Sequence, residues 1–260
     1  MYRFLLTPRW LGILAGALAL ATVMSLLGLW QLSRYEQRSE INDRIDAGGE
    51  PVPLERVLAA PAPGAGVGAP PPAGTHWSPV TVTGRYDAAH QVLVRGRTVQ
   101  GRVGYEVVLP LVLADGTAVL VDRGWIPPAP EGMTTTPAVP SPPAGMVTVT
   151  GRLRPGESGG PAVERRDGLL QTRRIDPAAL APHLPYPLYG GYLLREAPAE
   201  PALTAVPVRR ENAWLNAGYA VQWWIFAGLV LAGSAWLARR EAGRLRRTDP
   251  GPVPAGRQWG

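Results

Sequence analysis

The sequence predicts a membrane protein in which two transmembrane helices, one near each end, flank an extracytoplasmic antiparallel β-barrel or sandwich-like domain. Three observations carry this. Trp10 to Trp30 is an apolar run, and no charge stands between Arg9 and Arg34. A second uncharged stretch lies between Glu211 and Arg239. Between them come short β-branched segments punctuated by Gly and Pro, the pattern of an antiparallel sheet.

A helix rises ~1.5 Å per residue, so residues 10–30 reach roughly 30 Å, the thickness of a bilayer's hydrocarbon core. Trp10 and Trp30 stand where amphipathic rings favour the water boundary. The run is too long for a signal-peptide core, and Leu27-Gly28-Leu29-Trp30-Gln31 is no cleavage site. An uncleaved span is therefore expected after a cytoplasmic tail over 1–9. Gly12 and Gly16, like Ala15 and Ala19, are four apart and offer a small-residue face for another helix.

The first helix is expected to continue outward, within a helical extension over 31–60. Gly48-Gly49 ends the main helix, and a short turn falls near Pro53 to Leu58. Residues 61–74 are almost wholly Pro, Ala and Gly and read as a flexible loop. The outer domain is expected over 75–196, with six to seven strands. Asp115-Gly116 marks a hairpin turn, and a second Pro-rich loop covers 127–145. Val147-Thr148-Val149-Thr150-Gly151-Arg152 repeats Val80-Thr81-Val82-Thr83-Gly84-Arg85, which suggests two equivalent strand-to-turn corners. Asp176-Pro177 reads as an N-cap followed by Pro in the first helical turn. A linker over 197–211 leads to the second span, 213–238, and a basic cytoplasmic tail over 239–260.

The pI of about 10.1 invites a nucleic-acid reading. The distribution of charge excludes it. Residues 35–211 hold 17 Arg against 18 Asp plus Glu, and the excess sits at the ends. Arg3, Arg9, Arg239, Arg240, Arg244, Arg246, Arg247 and Arg257 place both termini in the cytoplasm by the bias of basic residues to that side. There is no Cys, so disulfides and thiolate sites are excluded. His76, His90 and His183 lack metal-ligand spacing, so no metal site is expected. Asp122 beside Arg123 reads as an ion pair locking a corner. No nucleophile–base motif appears, and no catalytic residue is assigned.

The second span begins with Asn212, Asn216, Tyr219, Gln222, Trp223 and Phe226 at steps of one, three and four. Polar groups in a membrane helix are costly unless paired. This stripe is expected to face the partner helix, a flat apolar ligand or another membrane subunit.

Five motifs in register with this layout resemble one family. They are Trp30-Gln31-Leu32-Ser33-Arg34, Gly84-Arg85-Tyr86, Val121-Asp122-Arg123-Gly124-Trp125-Ile126-Pro127, Val149-Thr150-Gly151, and Tyr219-Ala220-Val221-Gln222-Trp223. Together they look like the SURF1 family (surfeit locus protein 1, Shy1 in yeast), over about residues 10–238. The resemblance implies a non-enzymatic role in assembling cytochrome c oxidase, a haem–copper terminal oxidase. Implied partners are subunit I and other assembly factors, and the implied transient cofactor is haem a, with Asn216, Tyr219, Gln222 and Trp223 as its contact stripe. Many members carry a His three positions before the residue matching Tyr219. Here that position is Asn216, which is no strong axial ligand. A membrane-anchored scaffold or sensor without a haem role is the alternative.

Overall fold

The computed structural model describes residues 3–46, 48–132, 135–160, 162–208 and 210–248. The expectation for the tail beyond 248, including Arg257, lies outside the described residues. The chain divides into two compact units, Met1–Glu40 with Glu211–Gly260, and Ile41–Arg210.

The first unit is a pair of helices. Helix α1 runs Pro8–Asp46, so it stops well inside the 31–60 extension. Both α1 and the long helix near the C-terminal end are long and apolar enough to cross a membrane. On α1 the covered positions Leu14, Ala21, Gly28 and Tyr35 recur at sevens, with Ala17, Met24, Gln31 and Arg38 between them. That is the alternating three-and-four spacing of a coiled-coil seam. Gly28 is the closest point: a Cβ there would run into the indole of Trp224. The seam is thus not the Gly12/Gly16 face, where a Cβ would meet nothing within 4 Å. Apolar side chains point to every side of α1 between Trp10 and Trp30, so small residues alone could not select the contact face.

The second unit is a nine-stranded mixed sheet. In chain order its strands are β1 Val52–Pro53, β2 Pro79–Tyr86, β3 Val92–Val99, β4 Arg102–Val112, β5 Ala118–Ile126, β6 Met146–Pro155, β7 Glu164–Arg166, β8 Leu169–Thr172 and β9 Leu188–Ala197. Their spatial order is β1-β2-β6-β9-β5-β4-β3-β8-β7. A last pairing, Arg85↔Val112 and Tyr86↔Leu111, brings β2 back onto β4. The purely antiparallel expectation is corrected: β1–β2, β3–β8 and β5–β9 pair in parallel. The partners of β5 and β3 lie across long connections, which can return a strand in either direction.

Residues alternate between the two sheet faces. Val107, Leu109, Val119, Val121, Leu153 and Leu193 share one core. Val108, Leu120 and Leu188 belong to a second, covered by Leu170, Ile175 and Leu180. Each such fully buried side chain contributes about 1.5–3 kcal/mol relative to exposure. Leu180 ends the short helix α2, Pro177–Leu180, whose cap Asp176 accepts from Ala178 N at 3.0 Å, as the sequence predicted.

The Val-Thr-Val-Thr-Gly-Arg echo has a structural cause other than two corners. The two copies pair antiparallel with each other, so that Val80 faces Gly151 and Gly84 faces Val147. Both glycines are mid-strand points of close approach. A Cβ on Gly84 would lie 2.6 Å from Val112 O, and one on Gly151 would strike Leu194 O. One glycine admits β4 and the other β9.

Two segments read as loose are tied down. The 61–74 loop is anchored by Gly68 N to Leu188 O (2.8 Å) and Leu188 N to Gly66 O (3.0 Å). The 197–211 linker exchanges hydrogen bonds between Thr204 and Trp125 at 2.7 and 2.9 Å and buries Leu203. Backbone groups in Pro/Ala/Gly-rich chain still need partners, and strand edges supply them. The short strands β1 and β7 carry too few residues for a periodic signal.

The second long helix, α3, spans Ala213–Thr248. Its side of the seam is Ala213, Ala220 and Ala227 at sevens, all buried, with Asn216, Trp223 and Val230 half-covered between them.

Candidate functional site

In the helix pair, the sequence-predicted residues separate into two sets. Asn216 lies in the seam: its Nδ2 donates to Gln31 Oε1 at 2.8 Å and its Oδ1 accepts from Arg38 Nη1 at 3.1 Å. Arg38 also lies 3.6 Å from Glu211, and Tyr35 packs on Trp214 with ring centroids 5.6 Å apart. These groups form one polar layer across the pair. Gln31 and Arg38 are seven apart, so one heptad position supplies both α1 partners. Trp223 is half-buried, and its ring meets Phe226 edge-on at 6.1 Å. Tyr219 and Gln222 face outward and exposed, as does Phe226. The stripe therefore does not turn as a whole toward α1. Trp30 is exposed beneath Arg34, whose guanidinium stands 5.9 Å from its ring.

The chemistry of position 216 bears on the haem expectation. Both ends of the Asn216 amide are engaged within the layer, and a carboxamide is a poor iron ligand. Neither helix contains a His, since the three stand at 76, 90 and 183. Position 216 does not fit axial ligation. Among the described residues, no group of three or more His, Asp or Glu could hold a metal ion. His90 is hydrogen-bonded to Asp87 at 2.7 Å, and Asp87 also accepts from Tyr186 at 3.0 Å.

In the sheet unit the family-like residues converge on β5. Asp122 and Arg123 do not pair with each other, contrary to the expectation, because adjacent strand residues point to opposite faces. Asp122 is buried on the second-core face, where its carboxylate accepts from Gly124 N at 3.0 Å. Beside it Arg97 lies between Glu106 and Glu157. Its Nε is 2.9 Å from Glu106 Oε2, an ion pair outside hydrogen-bond alignment, and its Nη2 bonds Glu157. Burial, reinforced by the nearby carboxylates, holds Asp122 well above the usual carboxylate range and pushes Glu106 up to about 7.

Arg123 enters the first core with its side chain fully covered. It pairs with Glu200, donates to Pro140 O at 3.1 Å and Ser141 O at 3.3 Å, and sits 5.7 Å over the Tyr86 ring. Arg195 lies 3.5 Å from the same Glu200 and donates its Nε to Arg123 O at 3.0 Å. Burial pushes the Tyr86 phenol up to about 12. Gly124 has φ +139°, and a Cβ there would stand 2.9 Å from Thr204 O, so only glycine serves. Trp125 donates its indole to Arg97 O at 3.0 Å. Gly84, Arg85 and Tyr86 sit where β2 leaves β6 for β4, and a cleft of about 470 Å³ opens there, lined by Arg85, Tyr86 and Met146.

Glu106, Arg97, Glu157, Glu200, Arg195 and Arg38 were missed from the sequence. Glu106 had a signal, a lone charge in the apolar run Tyr105 to Leu109. The others come from distant segments and had none.

Two helices long and apolar enough to cross a membrane, and a separate mixed-sheet unit whose arginines tie its loops to its strands, define the class of chain. A SURF1 family model matches residues 18–228. An uncharacterized SURF1-like protein of Mycobacterium bovis is 33% identical over 261 residues, covering 96% of this chain and 91% of the relative. Its counterpart in Mycobacterium tuberculosis shows the same figures. A SURF1-like protein of Dictyostelium discoideum is 29% identical over 109 residues, 40% of this chain and 39% of that protein. The chain belongs to the SURF1 family.

Proposed function

We propose that this chain is a non-enzymatic assembly factor for a haem–copper terminal oxidase. In this reading it stabilises subunit I, alongside other assembly factors, while haem a is inserted. α1 and α3 form a membrane hairpin with both ends in the cytoplasm and the sheet unit outside. Family membership across both helices and the sheet carries the reading. The outward faces support the membrane part: Leu18, Val23, Leu26, Leu229 and Leu231 are exposed on helices whose Gln31, Arg38 and Asn216 are gathered in one layer. Arginines beyond the apolar runs support the orientation.

The occupied Asn216 amide favours a holding role over direct haem delivery. The exposed Tyr219, Gln222 and Phe226 are the surface offered to the partner subunit. Deleting the gene should lower the haem a absorbance of membranes, and the intact chain should co-purify with subunit I. An unchanged oxidase spectrum in the deletion strain would remove the proposal. Asn216→His tests the haem branch: haem retained by wild type and variant alike would show that the chain handles haem without position 216.

A further inference from the structure

We infer that the cleft beside Arg85 is a docking site for an extended segment of a partner protein that carries an apolar anchor and, two positions away, an Asp or Glu. The inference deepens the holding role. It rests on that reading for there being a partner protein, and it names the chemistry by which the sheet unit takes hold of it. The Gly84-Arg85-Tyr86 motif leads to the site. Gly84 admits β4 and Tyr86 fills the first core. Arg85 is exposed and, among the described residues, has no hydrogen-bond or ion-pair partner.

Strand pairing explains the cleft. Arg85 pairs with Met146, the first residue of β6, on one side and with Val112, the last residue of β4, on the other. Opposite residues of an antiparallel pair share a face. Arg85 therefore stands between two apolar side chains at the point where both neighbouring strands stop. Ala88 and Leu113 extend the apolar wall of the cleft, whose volume is about 470 Å³. The size suits a ligand site, but Met146 at its edge is 56% exposed. A small molecule is held by burying roughly 70–90% of its surface. An open cleft instead suits a side chain presented by another protein, and interface affinity concentrates in such anchors. The flexible Met146 adapts to an irregular apolar partner.

The charge of the lining selects the second group. Of the two charged lining residues described, Arg85 is the one left unpaired. Asp87 accepts from Ala89 N at 3.0 Å on one oxygen, and the other accepts from Tyr186 at 3.0 Å and meets His90 at 2.7 Å. Asp115, in the turn beyond β4, closes on Thr117 N at 2.9 Å. The residues of this unit outside the description are Ala47, Met133, Thr134, Pro161 and Arg209, and none is acidic. A partner carboxylate thus meets an open guanidinium fork. Alternate side chains of an extended chain share a face, which sets the spacing of anchor and acid at two.

The test uses the full chain in detergent with ¹³C-methyl methionine. The sequence holds four methionines, so Met146→Leu assigns the Met146 signal. The probe is the end-blocked peptide Gly-Trp-Gly-Glu-Gly. A second peptide carries Gln in place of Glu, and a third carries Ala in place of Trp. The first should shift the Met146 methyl and leave Met24 on α1 unmoved. It should half-saturate at about fivefold lower concentration than the Gln peptide, the upper range for an exposed ion pair. Arg85→Gln should erase that difference, and the Ala peptide should shift little. Equal half-saturation by the Glu and Gln peptides, or a difference that survives Arg85→Gln, would overturn the site. Decanoate moving Met146 at lower concentration than any peptide would make the occupant a free carboxylate and overturn the partner segment. An unchanged oxidase spectrum in the deletion strain removes the assembly reading and leaves these shifts standing; absent shifts remove the site and leave the reading.

Discussion

On one face of β5, Asp122 enters a cluster in which carboxylates outnumber the central cation: Asp122, Glu106 and Glu157 surround Arg97. On the other face, Arg123 enters a cluster in which cations outnumber the anion: Arg123 and Arg195 share Glu200. The two clusters answer excess charge differently. A buried excess of carboxylates is relieved by binding a proton: burial, with Glu157 adding to it, pushes Glu106 up to about 7. An excess of guanidinium has no such outlet, because arginine stays charged. It is met instead with acceptors, the carbonyls of Pro140 and Ser141 for Arg123 and that of Pro198 for Arg195. Those acceptors belong to two connections, the Pro-rich loop 127–145 and the linker 197–211. The arginine cluster is therefore a joint that fastens the 127–145 and 197–211 segments to the sheet, while the acidic cluster stays inside its own layer.

The largest effect should come from cutting the joint. Arg123→Met keeps length and burial but leaves Glu200 covered and only partly compensated by Arg195. Removing one partner of a buried pair costs about 3–5 kcal/mol. For a unit of this size that lowers the melting temperature by roughly 10 °C. Thermal unfolding of the full chain in detergent measures it, with proteolysis in 127–145 and 197–211 as a local readout. A loss below about 1 kcal/mol would mean that water already reaches the cluster.

This contrast also marks what was readable in the sequence. α1, α3 and the turn at Asp115, which accepts from Thr117 N at 2.9 Å, were legible because uncharged runs and turn residues are local signals. The separation of Asp122 from Arg123 was legible too, since a strand sends neighbours to opposite faces; reading them as an ion pair ignored the period. Glu200 could not be assigned to Arg123 from sequence, because 77 positions separate them and no pattern selects one acid from another. The parallel β5–β9 register was hidden for the same reason. Of the stripe near Asn216, periodicity gave the spacing but not the direction. Only the Gln31–Asn216–Arg38 layer shows that Asn216 turns inward while Tyr219 and Gln222 turn out.

A smaller effect should follow from neutralising the acidic cluster, and it should depend on pH. The folded pKa of Glu106 lies above its ordinary value, so the folded state binds a proton the unfolded chain releases. Its contribution to stability is then full below about 4.5 and is lost as pH rises through about 7. Glu106→Gln removes that dependence. Between pH 4.5 and 8 the variant should gain on the order of 2 kcal/mol relative to wild type. Denaturant unfolding at a series of pH values reads the difference, and parallel curves would show that Glu106 is ionised throughout.

The smallest effect isolates burial from pairing. Arg152 and Glu196 form an ion pair at 2.9 Å with the same chemistry as Arg123 and Glu200, but the Glu196 side chain is 39% exposed. Solvent screens such a pair, and its net worth is about 0–1 kcal/mol. Glu196→Gln should therefore shift stability by less than about 1 kcal/mol, and less again in high salt. Arg152 retains its bond to Trp77 O at 3.3 Å, so the β6 end should stay in place. If Glu196→Gln cost as much as Arg123→Met, the joint's strength would come from ion pairing as such. The segments it fastens would then be held by charge at the surface rather than by arginines sealed under the sheet.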